Sequence, residues 1–286
     1  MHSDPFSTWI ASHSLPIGRW VEDLVDLLLR YGGWFFDGVS AILDTIINGV
    51  VDGLLWLPPV LFIALVGLIA WRLHRSWKLV VGIVLTLLLV LNLGYWKDTC
   101  QTTGLVSIAT LLCLLLGVPL GIACGHRPRL YAAVQPVLDL MQTIPTFVYL
   151  IPTLIMFGLG MVPGLISTVI FAMPAPVRLT MLGISRVPKE LLEAGDAFGA
   201  SHWQRLFKVE LPHSMPSIMA GVNQCIMLSL SMVVIAAMVG APGLGVPVLR
   251  ALNQVNIAMG FESGLSIVIV AIILDRLCRQ TKKNKW

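Results

Sequence analysis

Charge is scarce in this 286-residue chain: Asp, Glu, Lys and Arg together supply 12% of it, against about 25% in soluble domains. Apolar residues make up 57% and mean hydropathy is +0.86, which excludes a soluble globule. No Gly-Lys dipeptide occurs, so a Walker A loop is absent and ATP is not bound that way. None of the six histidines is followed by Glu, which removes the His-Glu-x-x-His pattern of zinc peptidases. The five cysteines (Cys100, Cys113, Cys124, Cys225 and Cys278) show no CxxC spacing, so neither a zinc site nor a disulfide framework is expected. Residues 1–16 lack a basic start followed by an apolar core, so no cleavable signal peptide is expected. No carboxylate, His or Lys stands mid-run, where ion-coupled carriers hold their coupling ion. Asp139 and Asp275 lie near run ends, and Asp275 is spaced to pair with Arg279 at i,i+4. No catalytic residue, metal-ligand set or cofactor is expected in the chain.

What the sequence has is long apolar runs. Seven candidate spans fall at about 55–71, 78–96, 104–125, 136–159, 162–182, 216–240 and 264–280. The fourth and fifth are split by Gly158, Gly160, Pro163 and Gly164, a turn signal. Lys and Arg concentrate in cytoplasmic loops. With the C-terminus inside, 15 of the 19 basic residues, Arg178 among them, become cytoplasmic, while nine of the 15 acids fall outside. The net charge of +4 thus reports sidedness, and no nucleic-acid partner is expected.

Residues 17–52 carry apolar positions at helical spacing: Trp20, Leu24, Leu27 and Leu28, then Phe35, Val39, Ile42, Leu43, Ile46 and Val50. Asp37, Asp44, Asn48 and Asp52 oppose them, and Gly32-Gly33 is expected to separate two amphipathic helices at the outer interface. The expected organisation is an N-terminal extracytoplasmic segment over 1–54, a transmembrane domain over 55–280 and a basic cytoplasmic tail over 281–286.

In so apolar a chain, the polar loop at about 185–214 invites a function. It reads helix, turn, helix. Pro188 can start the first helix and Gly199 can end it in a positive-φ conformation. Ser201 and Gln204 have capping-box spacing before Trp203, Leu206 and Phe207. Small residues at 194, 195, 197, 199 and 200 allow close backbone approach, as a short helix needs when seated in another protein's groove.

Glu193-Ala194-Gly195, Gly199 four positions after Gly195, and then Val209, Leu211 and Pro212 resemble the EAA loop of ABC-importer permeases: E-A-A, three residues, G, nine residues, I, one residue, L-P. Gly195 stands for the second Ala and Val209 for Ile; Ala197 lies within the loop helix. The stretches 141–150, 219–224, 228–236 and 271–276 look like the permease subunit of glycine betaine, proline betaine and choline importers. The resemblance covers about 17–280. The runs at 32–37 and 250–262 look most like choline-type members, which ranks choline first and glycine betaine or proline betaine as the alternative.

The resemblance implies an all-α polytopic protein with the type I ABC-importer permease fold and about seven transmembrane helices. It implies a bacterial plasma membrane location and a homodimeric pore surrounded by lipid. It also implies a cytoplasmic ATPase subunit that holds ATP and Mg, and an extracytoplasmic solute-binding protein. Glu193 would contact the motor, or else act through the electrostatics of its helix N-terminus. A quaternary ammonium has no N–H to donate and prefers aromatic faces or carbonyl dipoles. Phe147, Tyr149 and Asn223 are therefore pathway candidates, together with Pro145, Ser229 and Ser231. Two rival classes are an ion-coupled carrier, for which neither coupling residues nor inverted repeats are visible, and a non-transporting membrane scaffold.

Overall fold

Helix α1 (Ile17–Trp56) opens the computed structural model, which describes residues 16–278. At 40 residues it is about 60 Å long, and it runs unbroken through Gly32-Gly33, where two helices were expected. A helical glycine costs only about 1 kcal/mol relative to Ala. The aromatic run just beyond is anchored, with Phe36 edge-on to Phe157 at 5.6 Å.

The face of α1 that packs also differs from expectation. Leu43, Ile47, Val51 and Leu55 meet Ile108, Ala109, Met161 and Leu165, while Ile42, Ile46 and Val50 stay exposed. One position along a helix turns the face by about 100°, and both stripes are apolar. Hydropathy alone does not say which of them packs.

Helices α2 (Pro59–His74) and α3 (Trp77–Asn92) form a hairpin of 16 residues each. They are about 24 Å long, short of a bilayer core of about 30 Å. Then follow α4 (Trp96–His126), α5 (Pro128–Thr143), α6 (Thr146–Phe157), α7 (Met161–Ala172) and α8 (Pro174–Ser185). Next come α9 (Lys189–Ala197), α10 (His202–Arg205), a π-helical turn (Leu206–Glu210), α11 (Leu211–Ser231) and α12 (Val233–Ala237). Helices α13 (Gly245–Gln254) and α14 (Ile257–Cys278) complete the described residues. Among the described residues, five helical stretches are long and apolar enough to cross a membrane: Gly18–Trp56, Trp96–His126, Met161–Ser185, His202–Ala237 and Ile257–Cys278.

The pair α5–α6 passes the same test only when taken together, and its bend makes it a broken span or a re-entrant loop. The fourth expected span begins at Pro128 instead of 136 and turns by 96° between α5 and α6. Pro145 caps α6 there, and Ile144 before it is extended at ψ 131°, the conformation a following proline favours. The sixth expected span, 216–240, overlaps a longer stretch that starts in the loop at His202 and ends at Ala237. Arg178, counted with the cytoplasmic basic residues, lies within the expected fifth span and within the Met161–Ser185 stretch, seven residues from its end. Asp275 lies in α14, whereas its expected partner Arg279 and the tail at 281–286 lie outside the described residues.

The centre of the molecule is α8, held between α4 and α11. Gly117, Gly121 and Gly125 recur every fourth residue on α4 and face Pro176, Val177, Thr180 and Ile184. A Cβ on Gly121 would stand 2.7 Å from the Val177 carbonyl oxygen. On the other side, Gly221 of α11 lies against Pro176 and Leu179. Between helices in lipid, close packing replaces the hydrophobic drive, and small residues supply it. At the end away from the 185–214 loop, the Leu244 N–H donates to Thr102 Oγ1 at 2.9 Å and the Gly160 N–H to the Val239 carbonyl at 2.9 Å.

Candidate functional site

The loop between α8 and α11 is built by local signals. Pro188 sits just ahead of α9, at φ −57°. Gly199 ends the helix at φ +72°. Its N–H donates to the Asp196 carbonyl at 2.9 Å and the Ala200 N–H donates to the Gly195 carbonyl at 3.0 Å, the two bonds of a Schellman stop. Ser201 and Gln204 form the expected capping box, with Gln204 N–H to Ser201 Oγ at 3.3 Å and Ser201 N–H to Gln204 Oε1 at 2.9 Å. The result is a sharp elbow between α9 and α10.

Beyond α10 the chain makes a π turn, closed by Leu211 N–H on the Leu206 carbonyl. Arg205 Nη1 donates to both carboxylate oxygens of Asp196, at 3.0 and 3.1 Å, and its Nε donates to Glu210 Oε1 at 3.1 Å. Glu210 Oε2 pairs with His126 Nε2 at the end of α4. Gly195 packs on Arg205 Cγ and Val209 Cγ2, each 3.9 Å from where its Cβ would stand.

The outer surface of this elbow exposes aromatic and small residues among charged ones. Helix α9 buries no residue; Glu193, Ala194 and Ala197 are exposed, as are Gly199 and Pro212, while Val209 and Leu211 are half-buried. Phe198 is 92% exposed, and Trp203 stacks on Phe207 at 5.9 Å with both rings in the open. A short helix of small residues flanked by exposed aromatics is suited to a groove on another protein.

The pathway candidates are divided between two elements. Pro145 and Phe147 are exposed at the start of α6, and Tyr149 OH donates to the Leu140 carbonyl across the bend at 3.1 Å. On α11, Asn223 is half-buried with an enclosed Oδ1 that has no hydrogen-bond partner. Ser229 is buried beside Cys225, and exposed Ser231 donates to the Met227 carbonyl at 3.0 Å.

Three features escaped the sequence reading: the Gly117-Gly121-Gly125 seam, the Glu210 pairings, and a 2.6 Å ion pair between Asp139 of α5 and Arg178 of α8. The four-residue glycine spacing was a visible signal for the first. The charge pairs leave no local trace, since His126 and Glu210 are 84 residues apart.

Residues 117–277 match the family described as binding-protein-dependent transport system inner membrane component. The chain is 47% identical over 278 residues to the glycine betaine/carnitine transport permease protein GbuB of Listeria monocytogenes, covering 95% of this chain and 97% of that protein. It is 46% identical to the glycine betaine transport system permease protein OpuAB of Bacillus subtilis, covering 95% and 96%. To the glycine betaine/proline betaine transport system permease protein ProW of Escherichia coli it is 44% identical, covering 98% and 78%. An inward-facing structure of the MetNI methionine ABC transporter superposes with a TM-score of 0.55 at 22% identity, over 61% of this chain and 88% of that one. That likeness shows a shared fold.

Proposed function

The chain belongs to the binding-protein-dependent transport system inner membrane components, and from that premise we propose that it forms the pore of an ATP-driven importer of glycine betaine and proline betaine. The observation that carries this reading is identity of 44–47% over nearly the whole chain to three permeases named for glycine betaine. The choline ranking rested on two short runs, 32–37 and 250–262; similarity over the full length outweighs them, and choline becomes the competitor in the test.

In this reading the motor is a separate cytoplasmic ATPase that holds ATP and Mg, the solute arrives on an extracytoplasmic binding protein, and two copies of the chain enclose the pore in lipid. The N-terminus is outside and the C-terminus inside, as the basic residues suggest. The ATPase seats α9, from Glu193 to Gly199, and its closure pushes the elbow. The continuous His202–Ala237 stretch carries that displacement into the membrane as a rigid element. Phe147 and Tyr149 offer ring faces, and Asn223 a carbonyl dipole, to a cation that cannot donate a hydrogen bond.

The test is ATP-dependent uptake of labelled glycine betaine, competed by choline, in vesicles holding the permease with its ATPase and binding protein. Saturable betaine uptake that resists choline supports the reading. Choline uptake with little betaine restores the competitor, and uptake that follows an ion gradient without ATP removes the importer altogether. Asn223→Ala with unchanged rate and solute preference would take Asn223 off the pathway.

A further inference from the structure

Glu210 is a carboxylate only 3% exposed, in a loop whose neighbouring residues are mostly open to solvent. A buried charge is strongly unfavourable unless paired, and both Glu210 oxygens are paired, one with Arg205 and the other with His126. Arg205 turns Nη1 to Asp196 on α9. A chain of four polar side chains, Asp196, Arg205, Glu210 and His126, thus crosses from α9 through the π turn to the end of α4. The Asp139–Arg178 pair differs, because both of its members are substantially exposed.

The π turn is what allows the central link. In a regular α-helix, residues five apart sit about 140° away from each other around the axis. A turn closed by an i→i+5 hydrogen bond returns them to one face, and Arg205 meets Glu210 at that separation. Relaxing the turn to regular helix would rotate α10 and α9 by about 100° relative to α11. Since α9 buries no residue of its own, its angle is set by the caps at the elbow, this chain of side chains and the Gly195 contact.

We propose that Glu210 is a positioning residue that locks the π turn and ties α9 to α4, so that a push on α9 reaches α4 as well as α11. The proposal rests on the reading of α9 as the ATPase contact. It gives the loop two routes into the membrane: along the helix into α11, and sideways through His126.

The test compares wild type, Glu210→Gln and Asp196→Asn in the complete complex reconstituted in lipid vesicles. Two quantities are measured: labelled glycine betaine imported per ATP hydrolysed, and amide hydrogen exchange over 189–200. The neutral isostere Glu210→Gln is expected to lower import per ATP about tenfold and to speed exchange in α9. Asp196→Asn, which removes only the outer link, is expected to lower it about threefold. Wild-type values for both quantities in Glu210→Gln overturn the proposal. Should Glu210→Gln fail to accumulate, an unchanged ratio and unchanged exchange in Asp196→Asn overturn it instead. The exchange measurement needs no solute: a wild type that imports no betaine sinks the solute reading, and α9 exchange still decides the role of Glu210.

Discussion

The seam where α4 and α11 enclose α8 and the elbow of α9 and α10 are held by opposite means. In the seam, glycines bring backbones so close that a single added Cβ would meet a carbonyl oxygen at 2.7 Å. In the elbow, α9 buries nothing, and charged side chains and caps fix its place. Close-packed contacts have one arrangement and tolerate little displacement. The exposed Asp196–Arg205 link and the caps are individually weak and can yield, while the buried Glu210 pairings hold the turn behind them. The difference separates a close-packed seam from a more adjustable elbow, and the proposed drive by a separate ATPase would use both.

The sharpest way to break this contrast is at the seam. Gly121→Leu places a side chain where Thr180 and the Val177 carbonyl already stand. Overpacking of this kind costs about 1–3 kcal/mol or more, so folded protein in detergent should fall severalfold with a lowered melting temperature. A variant that melts like wild type would mean the seam has slack. At the elbow the expected effect is functional. Gly199 holds φ +72° with no atom within 4 Å of where a Cβ would stand, so Gly199→Val meets backbone strain and no clash. A left-handed β-branched residue costs roughly 1–2 kcal/mol or more, and import per ATP should fall about tenfold while membrane insertion is retained. Transport at the wild-type rate would show that the stop is dispensable. The smallest effect is at Gly195, where an added methyl would make ordinary contact at 3.9 Å with Arg205 and Val209. Gly195→Ala also gains helix propensity, about 1 kcal/mol, so uptake should stay within about twofold of wild type. A large loss would mean that the partner's backbone presses on this position.

Features with local causes were legible in the sequence. The Gly199 stop and the Ser201–Gln204 box depend on residues within five positions of one another, and both stand as expected. Apolar run length found the stretches at 104–125, 162–182, 216–240 and 264–280, but it also counted α2 and α3, which are short for a bilayer core, and it left out Gly18–Trp56, which is long and apolar enough to cross. The misses share a different cause. Gly32-Gly33 reads as a break when propensity is considered alone, yet Phe36 packs on Phe157, far along the chain, and the helix continues. The two apolar stripes of α1 are equivalent until α4 and α7 choose between them. His126, Asp139, Arg178 and Glu210 each look like ordinary charges near the ends of apolar runs, and only the folded chain pairs them.

The central claim is that the elbow, and not some other exposed apolar surface, receives the ATPase. The direct measurement is photocrosslinking in the assembled complex, with a benzoylphenylalanine at Phe198 on the elbow or at Ile42 on α1, both exposed apolar positions. The account predicts a covalent adduct with the ATPase subunit from position 198 and none from position 42. Equal adducts from both, or an adduct from position 42 alone, would contradict it.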